Sequence, residues 1–189
     1  LQQALVHSER HQNRGAVLFI DLDNFKALND TRGHGIGDLL LIEVAKRLQD
    51  CVRGSDTVAR FGGDEFVVLI EDLSEDARQA AIQSRDVGEK VLASINQPFD
   101  LQGLEHHCSA SIGISPFCDN EISVEVLLMY ADTAMYQAKS AGRSAIRIFD
   151  PPMQAVLEIR AAMEADLRQA LPNRQLKLYY QRQVNEQGV

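Results

Sequence analysis

Two pairs of acidic residues adjoin apolar runs in this sequence. Asp21 and Asp23 end the run AVLFIDLD, while Asp64 and Glu65 precede the run FVVLI. Side chains alternate between the faces of a strand, so Asp21 and Asp23 would leave the same side if the strand extends that far. If the two strands are neighbours in one sheet, the four carboxylates meet, and a hard divalent cation such as Mg²⁺ would relieve their repulsion. Either pair alone is more typical of a solvated acidic turn.

Two glycines, Gly62 and Gly63, stand immediately before the second acidic pair. Both tolerate positive φ at no steric cost, so together with the flanking runs TVARF and EFVVLI they predict a hairpin. A backbone without Cβ atoms also lets a triphosphate approach closely. The stretch RFGGDEF therefore predicts a hairpin tip where a metal-bound phosphate chain could lie against the main chain.

Other metal and nucleotide motifs do not fit the sequence. There is no GxxxxGK[ST] loop, and GHGIG lacks the spacing of a dinucleotide-binding fingerprint. DLDNFK has Phe25 and Lys26 where a calcium loop needs an oxygen ligand and a glycine. His106 and His107 would point to opposite faces of a strand, so they are interpreted as ordinary strand residues.

Composition narrows the class of protein. The 189 residues, 45% of them hydrophobic, are enough for one α/β domain and a little more. A formal charge of −8 disfavours DNA or RNA as a partner. Cys51, Cys108 and Cys118 form no CxxC pair and indicate reduced core thiols. With no signal peptide and no apolar run of about 18 residues, the predicted location is the cytoplasm, and the start without Met indicates a piece of a longer chain.

Alternating helices and strands must position these residues. The apolar patterns predict strands in AVLFIDLD, TVARF, EFVVLI, HHCSASIGIS and AIRIF. Periodic apolar positions predict helices in the N-terminal LQQALVHSER, in NFKALND, from Ile36 to Val52, from Ala77 to Ile95 and from Val124 to Ala138. Pro151 and Pro152 break the pattern and mark the predicted domain boundary, beyond which an amphipathic helix precedes the strand-like LKLYYQRQV.

Four motifs, in this order, carry a resemblance to a known family. DLDNFKALNDTRGHGIGD, ARFGGDEF, SIGIS and ADTAMYQAKSAGR resemble the motifs of the GGDEF family of diguanylate cyclases, from about Gly15 to Phe149. The resemblance implies an α/β (α+β) fold like that of the nucleotide cyclases and the polymerase palm, with a central, mostly antiparallel sheet wrapped by helices. It also implies the condensation of two GTP molecules to cyclic di-GMP and two pyrophosphates, across a homodimer of half-sites.

The resemblance assigns the acidic residues to metal binding and catalysis. Asp21, the backbone carbonyl of Leu22, and Asp64 would bind Mg²⁺ or Mn²⁺, and Asp64 would also deprotonate the attacking 3′-hydroxyl. Glu65 would support the metal shell, and Lys26 would stabilise charge beside the phosphates. A metal suits this chemistry because it neutralises the charge that develops on an anionic α-phosphate.

The same resemblance implies a GTP site. Asn29 and Asp38 match the guanine-reading residues, and His34 would lie next to the nucleotide, although a histidine that caps the following helix is an equally good interpretation. Lys139 and Arg143 match contacts to the β- and γ-phosphates, and their spacing places them on one face near the end of a helix. Cations at that position are also favoured by the helix macrodipole.

One further motif concerns regulation, and one position departs from the family. Arg53 and Asp56 match an RxxD inhibitory site, where the arginine fork would grip the product and the aspartate would accept from guanine, although a solvated loop also explains the pair. Ser144 stands where the family usually has asparagine, since the sequence reads GRS instead of GRN. That corner of the site is therefore expected to differ from the family.

The two ends of the chain imply attached domains. Residues 1–150 are the predicted GGDEF domain, without the family's opening DxLTxLPNR segment, which is expected to supply dimerisation. Residues 151–163 are a predicted helical linker, and residues 164–189 resemble the start of an EAL phosphodiesterase domain, with Arg182 replacing the proline of YQP. The expected parent chain carries a sensor upstream and an EAL domain downstream. The alternative function is a non-catalytic GTP or cyclic di-GMP sensor that regulates the attached EAL domain.

Overall fold

The computed structural model describes residues 1–11, 13–118, 122–170, 172–173, 175 and 177–179. The chain divides into two compact units, Leu1–Met153 and Gln154–Val189. Every candidate site residue belongs to the first unit.

A five-stranded sheet forms the centre of the first unit. Its strands are β1 (Arg14–Leu22), β2 (Thr57–Gly62), β3 (Glu65–Leu73), β6 (Ala110–Phe117) and β7 (Ala145–Ile148), while β4 (Phe99–Leu101) and β5 (Leu104–His106) form a separate ribbon. The strands of the large sheet lie in the order β2-β3-β1-β6-β7. β1 pairs antiparallel with β3 and with β6, β2 pairs antiparallel with β3, and β6 runs parallel to β7. This arrangement confirms the mostly antiparallel central sheet.

Helices cover both faces of this sheet. They are α1 (Gln2–His11), α2 (Phe25–Arg32), α3 (His34–Cys51), α4 (Ala77–Ile95) and α5 (Val124–Ser140). Leu18 and Ile20 of β1 pack into the core that α2, α3 and α4 share, while Val17 and Phe19 pack into the core beneath α1 and α5. Because side chains alternate along a strand, a continuous apolar run serves both layers at once. β1 is therefore held on both faces and along both edges.

Most predicted elements are confirmed within a few residues, but the run HHCSASIGIS is not one strand. β5 ends at His106, β6 begins at Ala110, and His107 lies between them outside any strand. The segment leaves the sheet where the backbone carbonyl of Ser109 accepts a hydrogen bond from Asp23 N, at 2.9 Å. The prediction of ordinary strand residues is therefore confirmed for His106 and wrong for His107.

A last helix, α6 (Pro151–Ala170), begins at the two prolines. Proline is well suited to the first turn of a helix, where its missing N–H has no intrahelical partner to lose. The strand predicted in LKLYYQRQV lies mostly outside the described residues. No helix in the described part of the chain is both long and apolar enough to cross a membrane.

Candidate active site

The strand register brings the two acidic motifs together. β1 and β3 are neighbours, and Asp21 of β1 lies opposite Glu65 of β3. The backbone N–H of Leu22 donates to the carbonyl of Asp64 at 3.2 Å, so the end of β1 is tied to the hairpin tip. The sequence predicted that the acidic residues meet if these two strands are neighbours in one sheet, and the structure confirms that they are. Asp21, Asp64 and Glu65 therefore lie together at the end of the sheet where β1 ends and β3 begins.

The hairpin tip differs in detail from the prediction. β2 and β3 form the predicted hairpin, with Gly63 at φ 51°, whereas Gly62 closes β2 without positive φ. No protein atom lies within 4 Å of the position that a Cβ would take on either glycine. Arg60, which the sequence analysis did not single out, donates from Nε and Nη2 to the carbonyl of Gly63, at 3.0 and 2.8 Å. This fork fixes the residue before Asp64 and leaves the backbone open to an approaching group.

A lysine from α5 balances the charge of Asp21. Lys139 Nζ lies 2.6 Å from Asp21 Oδ2. Burial raises the pKa of Asp21, whose side chain is only 9% exposed, and the charges of Asp64 and Asp23 raise it further, while the hydrogen bond and charge of Lys139 lower it. Burial also raises the pKa of Glu65, with further contributions from the charges of Asp21, Asp132 and Asp64. The cluster therefore carries more negative charge than one ammonium group neutralises.

Asp132 is an acidic neighbour that the sequence analysis missed. It lies on α5, burial raises its pKa, and the charge of Lys139 lowers it. It stands seven residues before Lys139, which is close to two helical turns, so the two side chains leave the same face of α5. This spacing was the available signal. The signal is weak because the apolar period of α5 marks its buried face, whereas Asp132 is on the exposed side of the helix.

The carboxylate of Asp23 is not part of this cluster, because both of its oxygens accept hydrogen bonds from other residues. β1 ends at Leu22, so the condition for Asp23 to follow Asp21 on the same face fails. Asp23 Oδ1 accepts from Ser111 Oγ at 2.8 Å, and Oδ2 accepts from Ser109 Oγ at 2.6 Å and from the backbone N–H of Ser144 at 3.1 Å. The expected group of four carboxylates is thus wrong in one member.

The oxygen atoms that remain in the cluster are suitable ligands for a small, hard cation. Asp21, Asp64 and the carbonyl of Leu22 would offer oxygen ligands, the type that Mg²⁺ and Mn²⁺ prefer. Within the described residues, no three His, Cys, Asp or Glu side chains are grouped closely enough to form an all-side-chain metal site. A set of two carboxylates and one backbone carbonyl agrees with that finding, since Mg²⁺ is usually held by one or two carboxylates plus substrate phosphates.

The residues assigned to guanine lie on α2 and α3. Asn29 Oδ1 is buried and has no hydrogen-bond partner among the described residues. A buried acceptor of this kind is costly unless a ligand or a water molecule donates to it. Asp38 is exposed and lines a groove of about 540 Å³ together with apolar side chains such as Leu41, and with Arg60. A mostly apolar groove with a few polar groups in its lining is typical of small-molecule sites.

Lys26 and His34 occupy exposed positions at the start of their helices. His34 is the first residue of α3, and the residue at the cap is Gly33, with no side-chain hydrogen bond to the helix end. The interpretation of His34 as a capping residue is therefore wrong. Lys26 lies in the first turn of α2, directly after the turn that follows β1.

Arg143 is not on the same helix face as Lys139, because it is not on the helix. α5 ends at Ser140, and Gly142, at φ 121°, turns the chain away. The N–H of Gly142 donates to the carbonyl of Lys139, and the N–H of Arg143 donates to that of Ala138, the pattern of a Schellman motif. The two cations can still serve one ligand, but their relation is set by this turn and not by helical spacing.

The RxxD residues form a compact turn beside a cavity. Asp56 Oδ2 accepts from the N–H of Arg53 at 2.8 Å, and Oδ1 accepts from the N–H of Glu71 at 3.3 Å. Arg53 is exposed. Both residues line a cavity of about 250 Å³ between the end of α3, β3 and α4, whose wall also carries Asp86 and Lys90.

Comparison with known proteins identifies the family. A family model described as diguanylate cyclase, GGDEF domain, matches residues 1–145. The bifunctional diguanylate cyclase/cyclic di-GMP phosphodiesterase MucR of Pseudomonas aeruginosa is 46% identical over 97% of this chain, and the cyclic di-GMP phosphodiesterase PdeR of Escherichia coli is 34% identical over 100% of it. The chain spans 26% and 28% of the lengths of these relatives.

Solved structures agree with this assignment. A structure of TpbB (YfiN) from Pseudomonas aeruginosa, comprising only its GGDEF domain, is similar with a TM-score of 0.77 and 36% sequence identity, and the match covers 82% of this chain and 88% of that one. An EAL/GGDEF domain protein from M. capsulatus matches with a TM-score of 0.68 and 41% identity, over 79% of this chain and 94% of that one. The chain belongs to the GGDEF family of diguanylate cyclases.

Proposed function

We propose that this chain is a catalytic GGDEF domain that condenses two GTP molecules to cyclic di-GMP and two pyrophosphates. The observation that carries the proposal is the pairing of β1 with β3, which sets Asp21 opposite Glu65 and ties Leu22 to Asp64. In each of the two condensation steps a 3′-oxygen forms a bond to the partner's α-phosphorus, and the bond from that phosphorus to pyrophosphate breaks. Asp64 accepts the proton of the 3′-hydroxyl.

The residues around the cluster have distinct proposed roles. Asp21, Asp64 and the Leu22 carbonyl hold Mg²⁺ or Mn²⁺, which when bound neutralises charge on the phosphate and lowers the pKa of the hydroxyl. Glu65 supports these ligands from the adjacent strand position. Lys26 stabilises phosphate charge from the first turn of α2.

Recognition of GTP divides between its base and its phosphates. Asn29 Oδ1, the buried acceptor without a partner in the described part of the chain, accepts from the guanine 2-amino group, and Asp38 accepts from the same edge of the base. Adenine presents no donors in this pattern, so it is rejected. His34 lies beside the nucleotide, and Lys139 and Arg143 contact the β- and γ-phosphates as charged donors.

Catalysis by this arrangement needs two copies of the chain. Each copy holds one GTP, and the two half-sites face each other as a homodimer so that each 3′-hydroxyl reaches the partner's α-phosphate. Product inhibition is proposed at Arg53 and Asp56, where the exposed guanidinium binds cyclic di-GMP beside the cavity. The Asp56 carboxylate retains lone pairs for guanine in addition to its two backbone hydrogen bonds.

In the parent protein, residues 1–150 form the cyclase domain, residues 151–163 a helical linker and residues 164–189 the start of an EAL domain. A sensor domain precedes them, and the cyclase domain faces the cytoplasm.

A second candidate function is a non-catalytic sensor of GTP or cyclic di-GMP that regulates the EAL domain. Its support comes from relatives named as phosphodiesterases, namely PdeR and NbdA, the latter of Pseudomonas aeruginosa and 39% identical over 93% of this chain. The catalytic proposal has the stronger support, because Asp21, Asp64 and Glu65 all keep the side chains and the register that the chemistry needs.

The test is turnover of GTP with Mg²⁺ by the concentrated chain, freed of bound cyclic di-GMP and followed by nucleotide chromatography. The expected result is cyclic di-GMP, at a rate that rises more steeply than in proportion to protein concentration. Asp64→Ala should abolish product while retaining most of the affinity for the base. GTP binding without product in the unmodified chain would favour the sensor, and product from Asp64→Ala would refute the assigned metal and base residue.

A further inference from the structure

We propose that Asp23 is a positioning residue for phosphate binding, because its carboxylate holds the turn at Gly142–Ser144 and thereby fixes Arg143. The inference rests on the proposed function only in the role it gives Arg143. Asp23 is 6% exposed, although a carboxylate is normally on the surface. A buried carboxylate is tolerated where its oxygens are hydrogen-bonded, and three donors surround this one.

These donors come from two parts of the fold that are distant in sequence. The Ser109 hydroxyl donates from the residue before β6, the Ser111 hydroxyl donates from β6 itself, and the backbone N–H of Ser144 donates from the turn between α5 and β7. The N–H of Asp23 also donates to the carbonyl of Ser109 at 2.9 Å. The carboxylate is therefore anchored to the sheet, and Ser144 is the partner that it holds in place.

The turn needs such an anchor. Arg143 has φ 65° and Ser144 has φ 45°, which is the left-handed region that residues other than glycine, asparagine and aspartate rarely adopt. The Schellman hydrogen bonds of α5 reach only as far as the N–H of Arg143, which donates to Ala138. The next residue, Ser144, is held by two other hydrogen bonds. Its N–H donates to Asp23, and its hydroxyl accepts from Asn96 Nδ2 at 3.4 Å.

Because this chain has Ser144 where the family usually has asparagine, its turn depends more strongly on the hydrogen bond to Asp23. Asparagine adopts the left-handed conformation more readily than serine, so serine leaves the turn less stable by itself. The hydrogen bond to Asp23 compensates by selecting the left-handed conformation of Ser144, the residue that follows Arg143 in the turn. Loss of that bond should release Arg143 from its position while leaving the guanine-reading residues on α2 and α3 untouched.

The test compares Asp23→Asn with the unmodified full chain, using 3′-deoxy-GTP and 3′-deoxy-GMP with Mg²⁺ as probes that cannot be condensed. Asp23→Asn keeps the size of the side chain but removes its negative charge and replaces one oxygen by an NH2 group, so the charge-assisted hydrogen bond to the Ser144 N–H becomes a weaker neutral one. We expect affinity for the triphosphate to fall about five- to tenfold, as for one charge-assisted contact, and affinity for the monophosphate to stay within about twofold. Ser144→Asn placed on Asp23→Asn should restore part of the triphosphate affinity.

Two further measurements separate positioning from general damage. In an Arg143→Ala background, Asp23→Asn should cause no additional loss of triphosphate affinity, because both changes remove the same contact. Hydrogen exchange at the Ser144 amide should accelerate in Asp23→Asn while amides in the middle of β1 keep their protection. Equal losses for both probes, or an undiminished loss in the Arg143→Ala background, would overturn the proposal.

The same experiment distinguishes this inference from the proposed function. If the unmodified chain binds neither probe, the proposed function fails, and the phosphate-positioning role fails with it. The exchange rate of the Ser144 amide then still decides whether Asp23 holds the turn. If the unmodified chain binds the triphosphate and Asp23→Asn binds it equally well, the positioning role fails and the proposed function stands.

Discussion

Replacing Gly37 by alanine should weaken guanine binding without unfolding the domain. Gly37 is buried in the first turn of α3, and a Cβ there would overlap Asn29 Oδ1 and approach the ring Cζ of Phe25 to 3.1 Å. Asn29 Oδ1 is the buried acceptor to which we assign the guanine 2-amino group. The added methyl group must therefore push aside the atom that reads the base.

The expected change in stability is small because two effects oppose each other. Alanine in place of glycine stabilises a helix interior by up to about 1 kcal/mol. Moving the Asn29 side chain away from its rotamer costs about 0.5–1.5 kcal/mol. The free energy of unfolding should stay within about 1 kcal/mol of the unmodified value, which for a chain of this size corresponds to a change in Tm of about 2–4 °C.

The expected change in binding is larger. A hydrogen bond to the base contributes about 1–1.5 kcal/mol, and 1.4 kcal/mol corresponds to about a tenfold change in Kd. Affinity for 3′-deoxy-GTP should therefore fall about tenfold. The inosine analogue 3′-deoxy-ITP lacks the 2-amino group, so Gly37→Ala should bind it as the unmodified chain does.

Calorimetric titration with both nucleotides and a thermal melt test this reasoning. Gly35→Ala is the matched control, since it lies in the same helical turn and a Cβ there would meet no protein atom within 4 Å. The control should keep both affinities. The reasoning is refuted if Gly37→Ala retains the preference for 3′-deoxy-GTP over 3′-deoxy-ITP, or if it loses affinity for both nucleotides equally.

Two other predictions follow from the charges and the packing. Folding raises the pKa of Asp21 and of Glu65. The folded chain therefore holds protons at pH values where the unfolded chain has lost them. As a result, the free energy of unfolding without metal should fall as pH rises through these raised pKa values. Urea titrations at several pH values should show this decrease in the free energy of unfolding, and Asp21→Asn should make the decrease smaller. Mg²⁺ affinity should fall as pH decreases, because protons then compete with the metal for the carboxylates. Gly113→Ala should destabilise the domain by about 3 kcal/mol or more, since its Cβ would overlap the backbone carbonyl of Ala131 on α5, which cannot rotate away. An unchanged urea midpoint in Gly113→Ala would contradict this packing.

The sequence predicted the elements of the site better than their detailed geometry. Apolar alternation located β1 and β3, and the acids at their ends needed only the register to meet. The end of β1 was not predictable in the same way, because one residue decides whether Asp23 follows Asp21 or turns to Ser109 and Ser111 at and just before the start of β6. That choice depends on hydrogen bonds to Ser109 and Ser111, which lie 86 and 88 residues away along the chain. Local periodicity contains no information about such partners.

The same limit explains the two errors around α5. The apolar period of this helix extends to Ala138 and says nothing about where it stops, so Arg143 was placed on the helix by spacing alone. Gly142 was the available stop signal, since glycine commonly follows a helix end in the left-handed conformation. For Asp132 the local signal, its spacing of seven residues from Lys139, is weak on a helix whose pattern is dominated by apolar positions. Its importance arises only when α5 packs across β1 and β6.

Lys139 connects the resting geometry of the site with its proposed chemistry. In the structure its ammonium group lies on Asp21, where it offsets charge that would otherwise add to the repulsion from Asp64. The proposed function gives Lys139 to the phosphates and Asp21 to the metal, so both partners must exchange this ion pair for others. Each charged group keeps a partner of opposite charge in this exchange, because a divalent cation replaces the ammonium at Asp21 while the triphosphate provides new anions for Lys139. Metal and triphosphate should therefore each favour binding of the other, and the fold tolerates its acidic cluster before either arrives because α5 already provides the counter-charge.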